Sequence, residues 1–108
     1  MSPALPRPVA DYVAANARLD PDGMLRPFAP DAVVRDDGGQ YRGHAELRTW
    51  IRDATIANRA IFVPEAHRLE NGRVVVEGLT SGDFRGSPLR FTLRFTLEDD
   101  AIRALEIA

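Results

Sequence analysis

A chain of 108 residues with 44% hydrophobic and 28% charged side chains has material for one core and not for two, so a single domain over residues 1–108 is expected. A formal charge of −2 leaves no basic stripe for phosphate contacts and argues against a nucleic-acid partner. All fourteen basic residues are Arg and there is no Cys, which excludes Schiff-base and lysine-base chemistry, disulfides, thiolate nucleophiles and cysteine-bound metal.

The opening Met1-Ser2-Pro3-Ala4-Leu5-Pro6 has no basic region followed by an apolar run. No apolar segment approaches the roughly 20 residues that cross a bilayer, so a cytoplasmic location without membrane contact is expected. Three prolines among the first eight residues exclude an early helix. Val9, Val13, Ala14 and Ala17 then fit one apolar face of a helix reaching about Leu19. Asp20-Pro21-Asp22 reads as an N-cap, a proline at the first helical position and an acid in the first turn; it opens a short second helix with Met24, Leu25 and Phe28, which Pro30 ends. Ala32 to Asp36 has the pattern of a strand, and Asp37-Gly38-Gly39 turns it into Gln40-Tyr41-Arg42. Gly43 precedes a third helix, about His44 to Asn58, in which Leu47, Trp50, Ile51 and Ala54 recur at three- and four-residue spacing.

The rest alternates like sheet, and its turns fix registers. Asn71-Gly72 is a two-residue hairpin signal that sets Leu69 opposite Val74, His67 opposite Val76, Glu65 opposite Gly78 and Val63 opposite Thr80. Arg85-Gly86-Ser87-Pro88 makes the next turn, pairing Phe84 with Leu89, Gly82 with Phe91, Thr80 with Leu93 and Gly78 with Phe95. Phe91, Leu93, Phe95 and Leu97 must be the buried face of their strand, so Val74, Val76, Gly78, Thr80 and Gly82 are expected on that face too. The opposite face carries Leu79, Arg90, Thr92 and Arg94, with Asp83 beside Arg90 and Ser81 beside Thr92. Glycines facing large rings leave space or allow a bend, and either favours a concave pocket beneath the helices. By the same register Glu65 and His67 point inward. In the last strand, Ala101 to Ala108, Ile102 and Ala104 fit the inside, while Leu105 and Ile107 face out unless a bulge intervenes.

The order of a helix, Phe28-Ala29-Pro30-Asp31-Ala32 through Val34 and Asp36, Tyr41-Arg42-Gly43, a helix and then long strands resembles the nuclear transport factor 2-like superfamily, in particular its SnoaL-like polyketide cyclase and ketosteroid isomerase branches. The resemblance covers nearly the whole chain. It implies an α+β fold, three N-terminal helices packed on a strongly curved, mainly antiparallel sheet that forms a cone-shaped pocket, also known as a cystatin-like roll. It also implies a homodimer through the outer sheet face. Asp11 through Asp36 aligns without a gap to ketosteroid isomerase, which sets Tyr12 on that family's phenol donor and Asp36 on its general base. Two departures stand out. Leu93-Arg94-Phe95 is similar to the family's Phe-Arg-Phe, and counting back from it Phe91 occupies the position of the second acid of the oxyanion hole; a phenyl ring cannot donate. Asp37 replaces the proline that commonly follows the base and adds a like charge beside it.

The resemblance therefore implies a small hydrophobic carbonyl compound as ligand, with Asp36 as base, Tyr12 as donor to a developing enolate and inward His67 as a replacement donor. Ketosteroid isomerase itself works in this way, with an Asp base beside an oxyanion hole that contains a Tyr. Trp50, Glu65, Val76, Gly78, Thr80, Phe91, Leu93 and Phe95 are the expected pocket residues. Each candidate for the chemistry has a structural alternative. Asp36 could be an exposed turn acid, Tyr12 an amphipathic helix residue with its hydroxyl in water, and His67 a histidine satisfied by Glu65 or a backbone carbonyl. His44, at the start of the third helix, is expected to be exposed. Two His without His-x-x-x-His spacing argue against a metal, and no dinucleotide, phosphate-loop or nucleophile-elbow motif occurs, so no cofactor is expected. The rival to a cofactor-free isomerase, cyclase or dehydratase is a non-catalytic binding or dimeric assembly module. A hydrolase of the epoxide type would need an Asp/Arg/Asp set that the sequence does not display unambiguously.

Overall fold

The computed structural model describes residues 4–108; Met1–Pro3, with the first of the N-terminal prolines, lie outside the described residues. Helix α1, Arg7–Ala17, begins directly after Pro6, with Pro8 in its first turn, where no intrahelical N–H is needed. Its buried face is Val9, Tyr12, Ala15 and Asn16, while Ala14 and Ala17 are exposed. The apolar residues alone thus misplace this face, because Tyr12 and Asn16 look inward. Asp20 caps α2, Pro21–Leu25, accepting the Gly23 N–H at 3.1 Å. Pro27 cannot supply an N–H to extend that helix, so Phe28 starts a strand and does not close α2 as expected from its spacing.

Strand β1 is Phe28–Asp36, β2 is Gly39–Arg42, and α3, Gly43–Trp50, runs on into a π-helical turn, Ile51–Ile56. The remaining strands are β3 (Ile61–Glu70), β4 (Arg73–Ser81), β5 (Leu89–Glu98) and β6 (Ala101–Ile107). They form one curved sheet in the order β2-β1-β6-β5-β4-β3, antiparallel except for β1 against β6, and with the helices they make an α+β fold. Asp37-Gly38 and Asn71-Gly72 turn two of the hairpins with both residues at positive φ, the geometry that a two-residue loop demands. The helices cover one sheet face, and Val9, Met24, Leu47, Ile51, Phe95 and Ile102 are completely buried between the layers. No helix among the described residues is long and apolar enough to cross a membrane.

Two irregularities correct the expected registers. The β3–β4 pairing holds for Leu69 with Val74 and His67 with Val76, then slips at a bulge between Pro64 and Ala66. Pro64 has no N–H for the ladder, and the extra residue is Glu65. Phe62, not Val63, therefore faces Thr80 and turns inward, leaving Val63 58% exposed. Gly78 opposes Pro64, and a Cβ there would stand 2.1 Å from the Val63 carbonyl oxygen. This glycine serves the close approach of two backbones, not an opening in the pocket.

The β4–β5 connection takes up residues 82–88, so Gly78 pairs with Phe91 and Thr80 with Leu89, and neither Gly82–Phe91 nor Phe84–Leu89 is a pair. The shift from the expected register is an even number of residues, so the paired residues of β4 and β5 keep their predicted faces, while Gly82, Asp83 and Phe84 fall in the loop. The loop is held by Gly82 N–H donating to Ser87 Oγ at 2.9 Å and Asp83 N–H to the Asn58 carbonyl at 2.6 Å. In β6 a bulge does intervene: Leu97 opposes Ile102 and Thr96 opposes Ala104, so both Ile102 and Leu105 reach the core.

Candidate functional site

Between the helices and the concave sheet lies a cavity of about 590 Å³, the size of a small-molecule site. Tyr12 stands on α1 with its ring edge-on to Phe28 at 5.7 Å and to Phe95 at 5.8 Å between centroids. Those contacts fix the phenol, which is only 3% exposed. No described residue accepts a hydrogen bond from its hydroxyl, and no buried side-chain oxygen or nitrogen among the described residues lacks a partner, so the hydroxyl opens into the cavity that Tyr12 lines. Burial, with the neighbouring Asp36 charge added, pushes its acidity well below that of a free phenol; it is a protonated donor across the physiological range.

Asp36, half-buried at the end of β1, lines the same cavity. The register with β6, Asp36 beside Ile107, and the turn at Asp37-Gly38 hold its backbone. Trp50, buried at the end of α3, donates its indole N–H to Asp36 Oδ2 at 3.0 Å. Oδ1 accepts no hydrogen bond from a described side chain, so one carboxylate oxygen is fixed and the other is available. The Trp50 ring is itself backed by Tyr41, at 6.3 Å between centroids.

Thr80, Phe91 and Leu93 reach the cavity from β4 and β5 as expected. Five other expected residues do not. Val76 and Phe95 lie deeper, completely buried in the core beneath it, and Gly78 sits against the β3 bulge. Glu65, placed outward by that bulge, is exposed and pairs with Arg90 on the outer face. His67 keeps its register with Val76 but does not line the cavity; it lies toward the Asn71-Gly72 turn of the β3–β4 hairpin. The expectation of His67 as a replacement donor is therefore corrected. His44 is not free either: its Nε2 lies 2.9 Å from the Phe28 carbonyl oxygen and joins α3 to β1.

Asn16, Phe62, Phe84 and Leu89 also line the cavity, and the sequence pattern does not single them out. Asn16 follows Tyr12 by one helical turn, and that spacing is a usable signal. Its amide donates to the Ala60 carbonyl at 2.9 Å and accepts the Phe62 N–H at 2.7 Å, so it pins the start of β3 to α1. The bulge conceals Phe62, and the longer loop conceals Phe84 and Leu89. Among the described residues no cluster of His, Cys, Asp and Glu is arranged to hold a metal ion.

This combination of fold and cavity is that of a SnoaL-like domain. The sequence profile of that family matches residues 9–105, and the chain belongs to it. It is similar to a candidate polyketide cyclase of Sinorhizobium meliloti, with 35% identity over 96% of this chain and 95% of that one and a TM-score of 0.90. A protein of Sphaerobacter thermophilus is 26% identical over 94% of this chain and 91% of that one, with a TM-score of 0.77. A protein of Catenulispora acidiphila with a ketosteroid isomerase-like fold, solved in complex with trimethylamine, shares the fold at 18% identity over 97% of this chain and 86% of that one, with a TM-score of 0.82. A comparison with curated proteins gives no match.

Proposed function

We propose that this SnoaL-like domain is a cofactor-free isomerase, cyclase or dehydratase acting on a small hydrophobic carbonyl compound. The observation that carries the reading is the Asp36 carboxylate, anchored through one oxygen by the Trp50 indole at 3.0 Å and sharing a cavity with a buried, protonated Tyr12. A substrate carbonyl oxygen accepts from the Tyr12 hydroxyl, and Asp36 Oδ1 removes a proton from the adjacent carbon. The charge that develops on the oxygen meets a donor already fixed by its ring contacts, with no reorganisation needed. Phe91 supplies apolar wall where the isomerase family has its second acid, so steroid isomerisation itself is not the proposed reaction. The likeness to the Sinorhizobium meliloti protein supports a cyclase-type carbon acid as substrate.

A neutral bicyclic carbon acid, 5-nitrobenzisoxazole, tests the base directly. Loss of its C–H proton breaks the N–O bond and releases a coloured cyanophenolate, with no cofactor needed. Asp36→Asn keeps an acceptor for the Trp50 N–H and is expected to lower this turnover by about 100-fold or more while leaving the unfolding midpoint nearly unchanged. Equal turnover by the two proteins would remove the proposed base.

A further inference from the structure

The cavity walls separate the chain's charges in a way its composition does not. Acidic and basic residues are nearly balanced overall, 16 against 14, yet the lining holds Asp36 and Asp37 and none of the arginines or histidines. It also gathers Tyr12, Trp50, Phe62, Phe84 and Phe91, five of the chain's eight aromatic residues (5 Phe, 2 Tyr and 1 Trp). We propose that the cavity takes a small organic cation, a tertiary or quaternary alkylammonium group, in preference to its neutral isostere and to the exclusion of anions. This rests on reading the same cavity as a ligand site and names the charge of what enters it.

Two physical terms carry the inference. Aromatic faces attract a cation through their quadrupoles, and most strongly where water is excluded. Carboxylates attract it through their charge, and an anion in the same space would meet two negative groups with no counter-charge. The two acids are not equivalent. Asp36 is oriented by Trp50, whereas Asp37 is exposed on the rim and makes no ion pair among the described residues. A cationic nitrogen can therefore be balanced at the rim while Asp36 stays available. A positive nitrogen near a carbon acid also stabilises the carbanion that forms there, so the preference agrees with the proposed proton abstraction.

Trp50 is the only tryptophan of the chain, so its fluorescence reports the cavity without a label. Choline, its neutral carbon isostere 3,3-dimethylbutan-1-ol and the anion 3,3-dimethylbutanoate are titrated in turn, with methyl and amide chemical shifts as a second readout. Choline is expected to bind about 10-fold more tightly than the alcohol, and the anion to leave the signal unchanged. Asp37→Asn, an exposed turn position that leaves packing intact, is expected to reduce the choline-to-alcohol ratio severalfold, and added salt to do the same. Binding of the alcohol or the anion as tight as that of choline, or no binding of choline, overturns the proposal. If the wild-type protein still turns over 5-nitrobenzisoxazole in that event, the charge preference fails and the base assignment stands; loss of both removes the ligand site itself.

Discussion

Tyr12 carries a consequence for stability as well as for chemistry. Its hydroxyl is harder to ionise in the folded chain, chiefly through burial and secondarily through Asp36, while in the unfolded chain it titrates near the ordinary 10.0. Below pH 10 both states hold the proton and the group is neutral in the balance. Above it the unfolded state gives up the proton first and is favoured, so folding stability falls as pH rises, with a slope of about 1.4 kcal/mol per pH unit from this group. Tyr12→Phe should remove that component: the difference in unfolding free energy between wild type and variant, followed by urea titration from pH 8 to 11, should shift in favour of the variant above pH 10. A constant difference would mean that the phenol ionises freely in the fold. At this scale much of the site is legible in the sequence. Asp36 follows from a strand end and Trp50 from a three- and four-residue apolar spacing, whereas Tyr12 is legible only through the resemblance, since the apolar spacing of its helix points to another face; all three line the cavity. The Trp50–Asp36 bond does not follow, because nothing in a local pattern says that a helix fourteen positions later returns over the strand end.

Between elements, the coupling of α1 to β3 depends on Asn16. Its amide satisfies the Ala60 carbonyl and the Phe62 N–H, two backbone groups at a strand start that the sheet itself does not pair, and the residue is 2% exposed. Asn16→Ala would leave both groups without a protein partner. Each buried unsatisfied group costs about 1–3 kcal/mol, and water entering from the adjoining cavity recovers part of it. A loss of about 2–4 kcal/mol in urea-induced unfolding is expected, together with faster amide exchange at Phe62. A smaller loss, with exchange at Phe62 unchanged, would show that β3 is placed by its ladder to β4 alone. The elements themselves are well marked in the sequence, since caps, prolines and Asn-Gly or Asp-Gly turns act locally. The registers are legible only in parity. A hairpin turn fixes register next to itself, but the Pro64 bulge and the seven-residue β4–β5 loop act further along, where alternation of apolar residues cannot count inserted residues. That is why Phe91 and Leu93 take the expected face with unexpected partners, while Glu65, lying at the bulge, takes the opposite face.

For the molecule as a whole, the helices leave the outer face of the sheet uncovered. Its charges are largely paired across strands: Arg68 with Glu77 at 2.7 Å, Arg73 with Glu106 at 3.6 Å, and Arg90 with Glu65. Val75, on this face by alternation, is only 1% exposed and is flanked in register by Arg68 and Arg94. Covering such a face buries few unpaired charges, and Val63, 58% exposed beside Leu79, offers an apolar contact across a twofold axis. We propose a homodimer through this face, on the side of the sheet away from the cavity, so that association and ligand binding are separable. A stable interface must bury on the order of 1,000 Å² or more, within reach of a sheet face this wide. Sedimentation equilibrium at micromolar concentration is expected to give twice the 11.9 kDa of the chain. Leu79→Arg, which sets like charges against each other across the axis and beside Arg90, should return the mass to that of a single chain while the fluorescence response of Trp50 to cavity ligands persists. A wild-type protein that sediments as a single chain would assign the paired arginines and glutamates of this face to solvation alone.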